Sequence, residues 1–112
     1  MNDLNSVIIE GVVKGEPHHE EVGASNRMYF TVEVARYYKT RDGNEAKELS
    51  EFKVVSYGYM ANLPLQDGKK LRVVGRLKQN TWIEDSVQHS EVLIVAEHFE
   101  IIKRGVANGK AD

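Results

Sequence analysis

Apolar and polar residues alternate with a period of two through most of the chain, and this pattern limits the possible folds more than any other feature. Successive side chains of a β-strand point to opposite faces, so alternation over several residues is typical of a strand with one buried face. Within residues 6–14, for example, Val7, Ile9 and Val13 share one face, and Gly11 on that face indicates a bulge or a close backbone approach. The chain is therefore predicted to be all-β.

Five segments carry this alternation. The predicted strands cover residues 6–14, 28–38, 50–57, 70–82 and, after a turn at 84–86, a final segment that ends at 102. The polar residues 40–49 predict a hairpin loop, and residues 58–65 predict a short helix that Pro64 limits. Five strands with a short helix between the third and the fourth is the order of the OB-fold, a Greek-key barrel whose closure removes exposed strand edges.

Length and composition allow one such domain. The chain has 112 residues, of which 41% are hydrophobic, so we predict a barrel over residues 1–104 and a disordered tail over 105–112, where apolar periodicity ends. The absence of cysteine excludes disulfides and thiolate metal sites. The first residues lack a signal-peptide pattern and no apolar run approaches the ~18 residues of a membrane span. A soluble cytoplasmic protein with no membrane partner is expected.

Sequence motifs for catalysis are missing. The chain contains no phosphate-binding or dinucleotide-binding glycine motif and no nucleophile elbow. Asp42, Asp67 and Asp85 lie in turns, which explains them without a metal. His18 and His19 precede two glutamates, but adjacent loop residues rarely converge on one ion. We therefore expect no enzyme activity, no cofactor and no metal site.

Charge is distributed unevenly, although the net charge is only -2. Residues 69–78 contain five cations and no acid, whereas residues 84–100 contain five acids and no Lys or Arg. Blocks of this kind predict one basic and one acidic face. They also occur on ordinary solvated strands, so charge alone does not identify a ligand.

Aromatic residues interleave with these cations. Tyr37 and Tyr38 end the second predicted strand, Phe52 and Tyr57 lie on the third, and Trp82 ends the fourth. Lys or Arg accompanies most of them, which suits a nucleic acid strand because exposed bases stack on rings while cations neutralise phosphates. Packing offers an alternative: a tryptophan at a strand end, such as Trp82, also suits a cap on the barrel core. Phe52 alternates with core residues, and one of the two adjacent tyrosines must face away from the other.

Four segments, in order and in register, resemble the bacterial single-stranded DNA-binding proteins (SSB). The family's first strand is similar to residues 4–11, its second strand to residues 30–35, its aromatic-x-x-Val-Val-x-aromatic-Gly block to residues 50–58, and its Lys-Gly-x-x-Val-x-Val-x-Gly-x-Leu segment to residues 68–77. The resemblance spans about residues 4–102. It implies an OB-fold that binds single-stranded DNA without sequence preference during replication, recombination or repair.

The family's binding residues, carried over by position, imply a set of site residues in this chain. Those expected to stack on bases are Tyr38, Phe52, Tyr57 and Trp82. Those expected to contact phosphates, from the family and from the neighbouring cations together, are Arg36, Lys39, Arg72, Arg76 and Lys78. Family members assemble as tetramers of two dimers, so a homo-oligomer is expected, with a tetramer favoured and a dimer possible. The resemblance also implies that the protein is located at the bacterial nucleoid.

Two features depart from the family pattern. SSB proteins continue into a long linker with an acidic tip that recruits replication and repair proteins, whereas this sequence ends at Asp112. A short form of this kind also resembles primosomal replication protein N, a dimeric relative. The second departure is Pro64, which shortens the helix before the fourth strand. The alternative function is therefore a replication-restart interaction module in which nucleic-acid binding is weak or secondary.

Overall fold

The computed structural model describes residues 1–103, which form six strands and one short 3-10 turn. The strands are β1 (Val7–Val13), β2 (His18–Val22), β3 (Ser25–Lys39), β4 (Glu45–Tyr57), β5 (Lys70–Glu84) and β6 (Val87–Ile101), and the 3-10 turn covers Gly58–Asn62 between β4 and β5. The predicted tail, 105–112, lies outside the described residues.

Five of the strands close into a barrel. The sheet order is β1-β5-β6-β4-β3, and β1 returns to pair with β3 at Val13↔Val32, which closes the ring. All of these pairings are antiparallel except the short parallel contact between β4 and β6 at Val54↔Ile94. The predicted all-β, five-stranded OB-type barrel is therefore confirmed.

The core lies inside this barrel and follows the alternation of the sequence. On β3, Met28, Phe30 and Val32 are buried, and Phe30 meets Phe99 of β6 edge-to-face with ring centroids 5.7 Å apart, a favoured aromatic geometry. Gly11 fits the same scheme, because a Cβ at this position would overlap the carbonyl oxygen of Glu33 on β3. The predicted close backbone approach at Gly11 is thus confirmed.

Three local predictions need correction. Residues 18–22, whose histidines and glutamates were expected in a loop, form the strand β2, which pairs with the start of β3. Five mostly polar residues give no alternation from which a strand could be predicted. The predicted loop 40–49 is only 40–44, because β4 begins at Glu45 on a hairpin with two exposed faces and therefore no apolar period. The predicted helix is a five-residue 3-10 turn that buries Met60 and Ala61.

Two hairpins extend beyond the core. The β3–β4 arm carries residues 35–49 and the β5–β6 arm carries residues 76–92, and most side chains on both are exposed. The arms make the molecule elongated, with principal extents of 48 × 35 × 34 Å. Among residues 1–103, no helix has the length and apolar character needed to cross a membrane.

Candidate nucleic-acid interface

The outer face of the barrel, which points away from the core, contains a shallow cradle across β3, β4, β6 and β5. Its floor is a small apolar cluster in which Val55, Leu93 and Val95 are buried and Tyr29 packs against them. The cavity above this floor has a volume of about 240 Å³. The cradle is lined by Arg27, Tyr29, Lys53, Val55, Tyr57, Lys78, Asn80, Glu91 and Leu93.

Aromatic and cationic groups meet in the cradle because the strand register places them on one face. Arg27 of β3 is directly opposite Tyr57 of β4, and its guanidinium lies 5.7 Å from the centre of the Tyr57 ring, within range of a cation–π contact. Lys78 of β5 is opposite Leu93 of the floor. Tyr57 and Lys78, both predicted from the sequence, are therefore brought together.

The same face continues along the β5–β6 arm to Trp82. Lys78, Asn80 and Trp82 are two residues apart on β5, so their side chains share one face. Trp82 stacks on His89 of β6, with ring centroids 5.6 Å apart and an interplanar angle of 18°, yet it stays 41% exposed. An aromatic surface thus leads from Tyr57, past Lys78, to Trp82.

Two further predicted cations lie on the outer face. Arg76, opposite Val95 of the floor, has its guanidinium 3.6 Å from the Glu97 carboxylate. Lys39 is the last residue of β3 and lies at the end of the β3–β4 arm, away from the cradle. Arg76 therefore adjoins the cradle, whereas Lys39 is remote from it.

Three predicted residues lie on the opposite face. Phe52 is paired with the buried Val32, so its side chain has the core-facing orientation, although it is 40% exposed. Arg36 and Tyr38 share this orientation, with the Arg36 guanidinium 4.9 Å from the Tyr38 ring centre. The structure thus divides the predicted stacking residues between two faces.

Spacing explains why Phe52 and Tyr57 separate. Phe52 and Tyr57 are five positions apart on β4. Side chains an odd number of positions apart on a regular β-strand face opposite ways, so Phe52 and Tyr57 lie on different faces.

Arg72 lies apart from the cradle, at the other end of β5. Its guanidinium forms ion pairs with Glu10 of β1 and, at 3.2 Å, with Glu100 of β6. The hydrogen bond to Glu10 and the charge of that carboxylate raise the pKa of Arg72 above its ordinary value. Two carboxylates thus neutralise this cation locally.

Five polar or aromatic cradle residues were not predicted as site residues from the sequence: Arg27, Tyr29, Lys53, Asn80 and Glu91. Tyr29 has the same orientation on β3 as Arg27, and the pairings Arg27↔Tyr57 and Tyr29↔Val55 bring both to the cradle. The alternation of β3 assigns these two residues to the face opposite Met28 and Phe30. Only the pairing between strands, which one sequence does not supply, shows that this face meets Tyr57.

A closed five-stranded Greek-key barrel with an aromatic and cationic outer face defines an OB-fold of the kind that binds oligonucleotides. The model of the single-strand binding protein family matches residues 4–102, and the chain belongs to this family. The resemblance predicted from the sequence is confirmed.

Relatives of known sequence and proteins of known structure are consistent with this family assignment. The single-stranded DNA-binding protein of Aquifex aeolicus (strain VF5) is 32% identical over 105 residues, covering 90% of this chain and 71% of the relative. An SSB of Plasmodium falciparum in complex with ssDNA has a TM-score of 0.80 at 16% identity, covering 92% of this chain and 98% of that one. A small single-stranded DNA-binding protein from Streptomyces coelicolor has a TM-score of 0.72 at 21% identity, covering 91% and 96%. Both structural likenesses are likenesses of fold.

Proposed function

We propose that this protein binds single-stranded DNA without catalysis and protects it during replication, recombination or repair. The observation that carries the proposal is the continuous outer face from Tyr57 to Trp82, with Lys78 between the two rings. Family membership supports it. On this proposal the protein acts in the bacterial cytoplasm, at the nucleoid, where single strands arise.

Each part of the face has a physical role in this proposal. Bases stack on Tyr57 and Trp82, a contact worth about 1–3 kcal/mol per base that every base can make. Lys78 and Arg76 release counterions from the phosphates that they neutralise, which makes binding weaken with salt. The apolar floor under Tyr29 excludes water beneath the stacked bases.

The remaining predicted residues take secondary roles. DNA reaches Phe52, Tyr38 and Arg36 only if it passes around the β3–β4 arm to the other face of the sheet. Lys39 can contact DNA only at the end of that arm. Arg72 contributes little, since Glu10 and Glu100 already neutralise it.

A homo-oligomer forms part of the proposal. Within residues 1–103, β1 pairs with β5 along residues 7–12 and reaches β3 only at Val12 and Val13. Residues 7–11 thus leave one strand edge without a partner, and such an edge is a template for pairing with another chain. Pairing of this edge between two copies gives a dimer, from which a tetramer can be assembled.

The replication-restart module is not favoured. An interaction module that binds nucleic acid only weakly does not need exposed aromatic rings beside cations. Tyr57 and Trp82 nevertheless are exposed aromatic residues on the face that carries Lys78. Direct binding of a strand explains the same residues more simply.

Intrinsic fluorescence tests the proposal directly, because Trp82 is the only tryptophan. Oligo(dT) of two lengths is added at low and at moderate salt. We expect strong quenching that weakens with salt, with the longer strand saturating several subunits. Absence of both quenching and a mobility shift would contradict the proposal and direct attention to a protein partner.

A further inference from the structure

A carboxylate lies on the path that a bound DNA strand, with its bases stacked on the rings, follows across the outer face. Glu91 of β6 is two residues from His89, the ring under Trp82, and two residues from Leu93 of the cradle floor. Residues two apart on a strand are about 7 Å from each other. A single-stranded DNA whose bases stack on both Tyr57 and Trp82 therefore passes over Glu91.

The Glu91 carboxylate is held in place and remains accessible. Its Oε1 accepts a hydrogen bond from the Lys53 ammonium at 3.0 Å, and its side chain is 33% exposed. Within residues 1–103, no other side chain donates a hydrogen bond to it. Asn80, its directly opposite neighbour on β5, adds a second polar group at the same level of the face.

A negative charge on an anion-binding surface repels every phosphate alike, and Lys53 offsets that cost here. What the carboxylate adds is hydrogen-bonding capacity, since an ionised carboxylate only accepts hydrogen bonds and has two oxygens to do so. The Watson–Crick edge of guanine presents two adjacent N–H donors, at N1 and at the 2-amino group. Thymine presents one donor between two carbonyls, and adenine and cytosine present an amino group next to an acceptor nitrogen.

We propose that Glu91 reads a base edge and makes the protein prefer guanine at the nucleotide that lies between Tyr57 and Trp82. Lys53 holds the carboxylate in position through the 3.0 Å hydrogen bond. The stacking rings accept any base, so a single edge-reading group produces a preference without strict sequence specificity. This inference rests on the proposed function and identifies a specificity-determining residue within the same site.

Three oligonucleotides test the preference by competition against a labelled oligo(dT). Each has about 12 nucleotides, a length within the usual site size of one OB-fold. One is all thymine, one has a single central guanine, and one has hypoxanthine at that place, which keeps the N1 donor but lacks the 2-amino group. We expect the guanine strand to bind about tenfold more tightly than the thymine strand, the lower part of the range for a two-bond base contact. The hypoxanthine strand should bind with intermediate affinity.

The variant Glu91→Gln should bring the guanine-to-thymine ratio close to one, because it removes the charge and replaces one acceptor with a donor. Glu97→Gln is the matched control: it removes the same charge from the same strand, beside Arg76 and outside the cradle lining. This control should keep the ratio of the wild-type protein.

Equal binding of the three strands by the wild-type protein would overturn the inference, and that comparison needs no variant. It would also be overturned if Glu91→Gln tightened all three strands by one factor while the ratio persisted, because the carboxylate would then act only as a counter-charge to Lys53. Failure of the wild-type protein to bind the thymine strand would overturn the proposed function itself.

Discussion

Trp82 combines two properties that a base-stacking residue needs: the His89 ring supports it from below, and 41% of its surface is exposed. We expect Trp82→Ala to weaken binding by about 1–3 kcal/mol, roughly 5- to 150-fold, and by similar factors for oligo(dT), oligo(dC) and oligo(dA). Fluorescence anisotropy of labelled strands measures the loss without using the tryptophan.

Tyr59→Ala is the matched control for Trp82→Ala. Tyr59 is an aromatic residue that is 75% exposed, but it lies on the 3-10 turn, outside the cradle lining. Its removal should leave the affinity unchanged. Equal losses in the two variants would mean that exposed rings contribute nonspecifically and that Trp82 is not a base platform.

Lys78 and Arg72 both lie on β5 and face outward, but their surroundings differ. Lys78 lines the cradle, whereas Glu10 and Glu100 hold Arg72. On single strands each neutralised phosphate contributes about 0.7 to the slope of log K against log salt. We expect Lys78→Ala to reduce the slope by about 0.7 and Arg72→Ala to leave it nearly unchanged, measured by titrations at several salt concentrations.

Because both substitutions remove one positive charge, any difference between them reports on position and not on net charge. Equal reductions of the slope would show that the strand also contacts the Arg72 end of β5. That result would extend the interface beyond the cradle and would require the Glu10 and Glu100 ion pairs to open on binding.

The alternation of single residues predicted which side chains enter the core, but it left the site incomplete. Tyr57, Trp82, Arg76 and Lys78 were predicted and share the outer face. Phe52 lies on the other face, because it is an odd number of positions from Tyr57 on β4. Arg27 and Tyr29 come to Tyr57 only through the β3–β4 register, a long-range property that local patterns do not contain.

At the scale of elements, strands were predictable where one face is buried and not elsewhere. β1, β3, β4, β5 and β6 all alternate in their barrel portions, and the turn after Glu84 was found at Asp85-Ser86. β2 and the start of β4 were missed because neither of their faces packs on the core. The two arms, of which the β5–β6 arm carries Trp82, are thus the parts of the fold whose extent the hydrophobic pattern predicts least well.

The turn of the β5–β6 arm has a backbone that its residues do not favour. Asp85 and Ser86 have φ angles of 54° and 65°, and two-residue hairpins with positive φ at both positions prefer Asn-Gly. Ser86→Gly should therefore raise the free energy of unfolding by about 0.5–1 kcal/mol, the relief of left-handed strain less the entropy that glycine adds to the unfolded chain. Urea unfolding followed by the fluorescence of Trp82, on the same arm, measures this change.

Ser90→Gly provides the comparison, since Ser90 lies in the regular part of β6, opposite Thr81. There glycine has only its entropic cost and should destabilise by about 0.5–1 kcal/mol. A loss of stability in both variants would indicate that the turn at Ser86 is not strained.

At the scale of the whole molecule, cations and carboxylates are interleaved and do not form the predicted separate faces. The strand β5 carries most cations of residues 69–78 and pairs with β6, which carries most acids of residues 84–100, and ion pairs join Arg72 to Glu100 and Arg76 to Glu97 between the two strands. The net charge is -2, yet Lys78, Arg76 and Arg27 gather on the outer face around an apolar floor. Local arrangement, and not total charge, sets the potential that a strand meets at short range, because charges beyond about 10 Å are largely screened at ordinary salt. A binding surface for a polyanion is therefore compatible with the acidic composition.

The proposed homo-oligomer rests on the edge of β1 that has no partner within residues 1–103. Ile8 lies on this strand and is 66% exposed, an apolar side chain beside an open strand edge. Burial of Ile8 together with pairing of the edge favours association of two copies. Light scattering after gel filtration should give a mass well above the 12.7 kDa monomer, with about 51 kDa for the favoured tetramer.

Ile8→Glu should lower that mass, because a charge on an edge strand opposes pairing with another chain. Ile83→Glu is the matched control: Ile83 is 76% exposed near the tip of the β5–β6 arm, and this variant should keep the wild-type mass. If Ile83→Glu dissociated the assembly and Ile8→Glu did not, the subunit contact would lie on the arm. A monomeric wild-type protein would contradict the proposed oligomer and would leave the outer face, which is complete in one chain, as the whole binding unit.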